Sequence, residues 1–154
     1  MPNFNRLTIW TIALSFFIPI DGGWAVYCVG LFEIGGISGI FKIGISNILK
    51  FGIEYFSLSL TASYNKSLFT VALFALLGQI ILVISIFVKG SRQVLWIKTL
   101  GLLFLWMSFY YLTHNISYND PSSQFSFVAG LPFLIVSLIL TYKLFRQKTQ
   151  LAHS

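Results

Sequence analysis

Three long apolar runs divide this chain, Leu68–Val88, Val94–Thr113 and Phe125–Tyr142, and a fourth begins at Leu7. Runs of this length with so few charges read as helices that cross a membrane. Helices are therefore predicted over residues 3–20, 67–88, 94–113 and 125–142. The first is the least regular. Leu7–Ile20 covers only about 21 Å at a helical rise, short of a hydrocarbon core of about 30 Å. Starting the helix at Asn3 lengthens it and lets Arg6 snorkel to the headgroups. Pro19 and Gly22-Gly23 then end it. The short Lys89–Gln93 turn makes the second and third helices antiparallel neighbours. In the fourth, Gly130-Leu131-Pro132 predicts a kink.

Residues 21–66 carry too many charges to span and form an outer segment. Within 40–61, Phe41, Ile43 and Ile45 alternate with Lys42, Gly44 and Ser46. Leu49, Phe51, Ile53 and Tyr55 then alternate with Lys50, Gly52 and Glu54. Alternation with period two, rich in Ile and aromatics, predicts strands with one apolar face. The competing arrangement is an amphipathic helix on the outer leaflet, since Lys42, Ser46 and Lys50 also share a helical face.

Composition agrees with a lipid solvent. The chain has 154 residues, 56% hydrophobic, 18% aromatic and only 9% charged, where soluble domains carry about 25% charged residues. Charge placement then orients it. Arg6, Lys89, Arg92, Lys98, Lys143, Arg146 and Lys148 fall on or near one face of the threaded chain, and Asp21, Glu33, Glu54 and Asp120 on the other. Lys and Arg are retained on the cytoplasmic side during insertion. Both termini are therefore expected in the cytoplasm of a multi-pass protein of the plasma or inner membrane, with 143–154 as a cytoplasmic tail. Arg6 followed by LTIWTIALSFFIPI resembles the start of a signal peptide. DGGWAV offers no small-x-small cleavage site, so an uncleaved signal anchor is expected. The net charge of +6 sits beside apolar runs, which points to topology and anionic lipid and away from nucleic acid.

Few residues carry chemistry. Gln79 lies near the middle of the second helix, where an amide must face another helix or line a path. Asp21 is the acid placed deepest, either in the membrane or at a wet helix end. His114 closes the third helix beside Tyr110 and Tyr111, on the side of Asp21, Glu33, Glu54, Asp120 and the single cysteine, Cys28. Those donor types can ligate zinc, but no pair has ligand spacing, and a histidine satisfied at the interface is the expectation. Ser126 and Gly130, four apart on one helix face, are candidates for close helix packing. No GxSxG, SxxK, HExxH or phosphate-cradling motif occurs, so no catalytic, metal or cofactor residue is assigned. One cysteine cannot form an internal disulfide.

With cytoplasmic ends, a long strand-forming first outer loop and a short second one, the plan resembles claudin-like four-helix proteins in outline. The resemblance covers topology alone. Their W-GLW-C-C signature is absent, with Trp24 and Cys28 standing alone. The expected fold is an all-α membrane protein, a four-helix transmembrane bundle with a small β-rich outer segment. The expected function is that of a scaffold or accessory subunit, contacting the lipid bilayer and a membrane-protein partner or a second copy. The alternatives are an oligomeric channel or transporter subunit using Asp21 and Gln79, and an enzyme acting on a lipid or quinone at the interface.

Overall fold

The computed structural model describes residues 2–21, 26–30, 64–89, 91–114 and 121–152. It is helical apart from one small ladder. The elements are α1 (Pro2–Phe16), β1 (Pro19–Asp21), β2 (Val26–Cys28), α2 (Tyr64–Phe87), α3 (Ser91–Thr113), α4 (Pro121–Ala129) and α5 (Leu131–Ala152). The alternating positions of 40–61 lie outside the described residues.

The first helix stops earlier than expected, at Phe16, and the chain enters a strand at Pro19. The reason is local. Proline holds the residue before it out of the helical region and has no N–H for a helical bond. β1 pairs with β2 in antiparallel register, Pro19 opposite Cys28 and Asp21 opposite Val26. The Val29 N–H extends the pairing, donating to the Ile18 carbonyl at 2.9 Å.

α2 and α3 form the central pair. Ser108 Oγ donates to the Val71 carbonyl at 2.8 Å, and Gly78 lies opposite Gly101. As position rises on one helix it falls on the other, so the pair is antiparallel. The two glycines make the closest approach. A Cβ on Gly78 would sit 2.9 Å from the Gly101 carbonyl oxygen, and one on Gly101 would sit 3.1 Å from that of Gly78. Small residues let two backbones touch, and dispersion between touching backbones is a main source of helix association in lipid. Leu82 and Leu105 close over the glycines, and Val71, Ala75, Leu102 and Leu112 continue the buried seam.

Beyond Ala129 the chain bends by 51° into α5. Pro132 has no N–H to give the carbonyl four residues back, so the expected kink becomes a break between two helices. Gly130 keeps the chain hydrogen-bonded across it, donating to the Ser126 carbonyl at 3.0 Å while its own carbonyl accepts from Leu134 N–H at 3.1 Å. The Phe109 ring fills the angle, with centroids 6.1 Å from Phe127 and 5.7 Å from Phe133. α5 does not end at Tyr142. It runs to Ala152 with Leu144 buried, so much of the predicted tail is helix. α1 packs against α5 and α2.

Large apolar side chains point outward, among them Trp10, Phe87, Trp96, Leu103 and Phe145. Inside lie Thr8, Thr11, Ser15, Gln79, Ser85, Lys98 and Ser137. An apolar exterior around a partly polar interior suits hydrocarbon as the surrounding medium. By length and composition two helical segments can cross a membrane, Thr70–Phe87 and Arg92–Thr113, and the bent pair α4–α5 would make a third.

Replacing Gly101 by leucine should separate α2 from α3 and lower stability by about 1–3 kcal/mol, the scale of overpacking. Thermal unfolding in detergent measures this. Leu100→Ala, on the exposed face, should stay within about 0.5 kcal/mol of the parent. An unchanged unfolding midpoint for Gly101→Leu would show that the two backbones are not in contact.

Candidate functional site

A row of polar side chains lies on one face of α1. α1 has Asn5, Thr8, Thr11 and Ser15 at intervals of three and four, which places them on one helical face. Thr8, Thr11 and Ser15 are buried there, while Ile9 and Trp10 look outward. Thr11 turns its hydroxyl back onto the Leu7 carbonyl at 2.8 Å. Ser15 reaches further. Its hydroxyl donates to the Ile12 carbonyl at 2.7 Å and accepts the Gln79 side-chain N–H at 3.1 Å. Gln79 is 3% exposed, so the amide expected to face another helix lies against α1.

The second anchor is a lysine. Lys98 is 2% exposed, and its Nζ donates to Asn5 Oδ1 at 3.1 Å. The sequence placed Lys98 among the cations on or near the cytoplasmic face. It instead occupies the buried face of α3, three residues after Leu95 and four before Leu102, and reaches α1. A signal for this was available: Leu95, Lys98, Gly101, Leu102, Leu105 and Ser108 share one helical face, and the small residues mark it as the packed one. The polar stripe on α1 was likewise readable, and so was the Gly78–Gly101 contact, which a search for GxxxG within one helix cannot find.

The other residues singled out from the sequence are dispersed. Asp21 is held by its backbone in β1, a strand that lies against α4. Ser126 Oγ donates to the Pro19 carbonyl at 2.9 Å, tying α4 to the start of that strand. Gly130 is buried one turn later against Phe109. Ser126 and Gly130 thus sit at contacts within the chain. His114 caps α3 among Tyr110 and Tyr111, with ring centroids at 6.5 and 6.2 Å. Its Nδ1 lies 2.7 Å from the Tyr111 carbonyl, which can only accept, so this nitrogen carries the proton. Cys28 is a half-buried free thiol on β2. Glu33, Glu54 and Asp120 lie outside the described residues. Among the described residues no group of three His, Cys, Asp or Glu gathers as a metal site.

These polar contacts join helices and close helical turns. Ser85 and Ser137 close onto carbonyls of their own helices at 2.6 and 2.9 Å. Gln79 and Lys98 bridge to α1. Comparison with family models, with curated proteins and with solved structures finds no match.

A double-mutant cycle tests the central bridge. Gln79→Leu and Ser15→Ala should each destabilise the protein, with a coupling of about 0.6–1.7 kcal/mol, the range of interhelical hydrogen bonds in lipid. Asn5→Leu, which removes an acceptor from a charged donor, should cost more, about 1.5–3 kcal/mol. Thermal unfolding in one detergent reads all four. Zero coupling between Gln79 and Ser15 would overturn the bridge.

Proposed function

We propose that this protein is a non-enzymatic membrane scaffold or accessory subunit, working through contacts with lipid and with a membrane-protein partner or a second copy. In this reading α1, α2, α3 and the α4–α5 pair make four spans of a bundle in the plasma or inner membrane. Both termini lie in the cytoplasm, and residues 21–66 form the β-rich outer segment. α1 itself is only about 22 Å long, so the β1–β2 ladder and Arg6 would sit in the headgroup regions at its two ends. The charge asymmetry supports the orientation.

One observation carries the functional reading. Polar groups inside the helices join one another, Gln79 Nε2 to Ser15 and Lys98 to Asn5, while Gln79 Oε1 is buried without a hydrogen bond among the described residues. An ion path needs ligands that can turn from one another to the ion and release it. Groups committed to joining helices serve assembly instead. Under this reading Asp21 holds no ion and Gln79 lines no path.

Two measurements test it. An impermeant maleimide applied to intact cells should label Cys28, and Cys28→Ser should abolish the label. Labelling only after permeabilisation would reverse the orientation. Purified protein in liposomes should give no flux with a pH-sensitive or potential-sensitive dye, and Asp21→Asn should assemble as the parent does. A protein-dependent flux lost in Asp21→Asn would reject the scaffold reading in favour of a channel.

A further inference from the structure

Between α3 and α5, on the outside of the helices, runs an open groove of about 290 Å³. Its α3 wall carries Trp96, Leu102, Leu103 and Trp106, and its α5 wall Leu144 and Phe145. The two threonines in it present methyl groups, because their hydroxyls are already committed. Thr99 Oγ1 donates to the Leu95 carbonyl at 2.8 Å and Thr141 Oγ1 to the Ser137 carbonyl at 2.8 Å. Threonines bonded to their own helix in this way add no polarity to a wall. A polar ligand would gain nothing here, whereas a hydrocarbon chain meets apolar surface along the whole length.

Length and charge narrow the occupant further. On α3 the groove extends from Leu95 to Trp106, about 16 Å of helix axis and roughly half the hydrocarbon thickness of a bilayer. That is the depth of one leaflet. A partner helix crossing the membrane would need a seam twice as long. The end of the groove at Leu95 is basic. Arg92 lies three and four residues before Leu95 and Trp96, on the same face of α3, and is exposed. Arg146, also exposed, follows Phe145 on α5 but lies about 100° round the helix from it, off the groove wall. No acidic residue occurs between Leu131 and Ser154. Arginine pairs with phosphate through two parallel N–H donors, and basic pockets beside membrane helices hold anionic headgroups.

We propose that this groove is a binding site for an anionic glycerophospholipid of the cytoplasmic leaflet. One acyl chain lies between α3 and α5, and the headgroup phosphate meets Arg92. The choice of leaflet rests on the orientation argued above; the groove and its basic mouth do not. Bound there, the lipid fills a seam that direct side-chain contact leaves open, and it gives the accessory protein a preference for membranes rich in acidic lipid.

Native mass spectrometry of the purified protein, offered equal amounts of phosphatidylglycerol and phosphatidylcholine with identical chains, tests the site. Phosphatidylglycerol adducts should exceed phosphatidylcholine adducts by about fivefold. Arg92→Gln should bring the two lipids to parity, and Arg146→Gln should leave the preference in place. Thr99→Trp, which fills the groove at an exposed position, should reduce adducts of both. Circular dichroism and the unfolding midpoint confirm that each variant is folded. Equal binding of the two lipids by the parent protein would overturn the proposal, and so would a preference that survives Arg92→Gln. A protein dimer dispersed by Thr99→Trp, without any lipid preference, would assign the groove to a second copy and also overturn it. Orientation is read separately by Cys28 labelling, so a reversed topology and a missing lipid site are told apart.

Discussion

Gly78 and Gly101 bring α2 and α3 so close that a methyl group on either would strike the backbone of the other. The packing between α2 and α3 is built on this pair. With the axes this near, Leu82 and Leu105 interleave over the glycines and Ser108 reaches the Val71 carbonyl. Phe74 can stack on Phe104 and Tyr111, each with centroids 5.9 Å apart. In water such a contact would be driven by burial of apolar area. In lipid that force is missing, because acyl chains are as apolar as leucine, and close dispersion contact and interhelical hydrogen bonds take its place.

α1 illustrates the second of these. It is 15 residues long and could not hold its place by length or hydrophobicity alone. Its inward face is a row of hydroxyls and one amide, and its outward face carries Ile9 and Trp10. A helix of this kind would be inside out in water. Here the polar row meets Gln79 of α2 near its C-terminal end and Lys98 of α3 near its N-terminal end. Two separated polar contacts fix both rotation and depth, which one contact cannot do. A buried ammonium is an expensive way to fix them. Loss of Asn5 would remove one acceptor from that buried charge.

The outer surface has a different logic. Apolar side chains cover it, and one seam between α3 and α5 stays open where Thr99 and Thr141 stand in place of larger residues. Small, self-satisfied side chains cannot close such a gap. Lipid can, and the basic mouth of the seam selects which lipid. Under the proposed orientation, the cations that direct insertion would serve a second purpose in the finished protein.

The sequence by itself determined the class of the protein. Long apolar runs and scarce charge made it helical with segments able to cross a membrane, because in hydrocarbon every backbone group must be satisfied within its own segment. It placed the α2 and α3 segments to within three residues and foresaw a kink at Gly130–Pro132, where the structure has a break between two helices. It also required Gln79 to face a helix, without saying which. Only the tertiary structure decided the rest. That Ser15 is the partner of Gln79, that Lys98 turns inward, and that Gly78 meets Gly101 are all relations between residues far apart in the chain. Hydropathy cannot report them, since it sums the character of a segment and discards which face each residue occupies. The early end of α1 at Phe16 was also missed, because Ile18 and Ile20 remain apolar after the helix has stopped. Apolarity measures affinity for lipid, whereas a helix ends where the backbone loses its hydrogen-bond geometry, and at Pro19 the two criteria part.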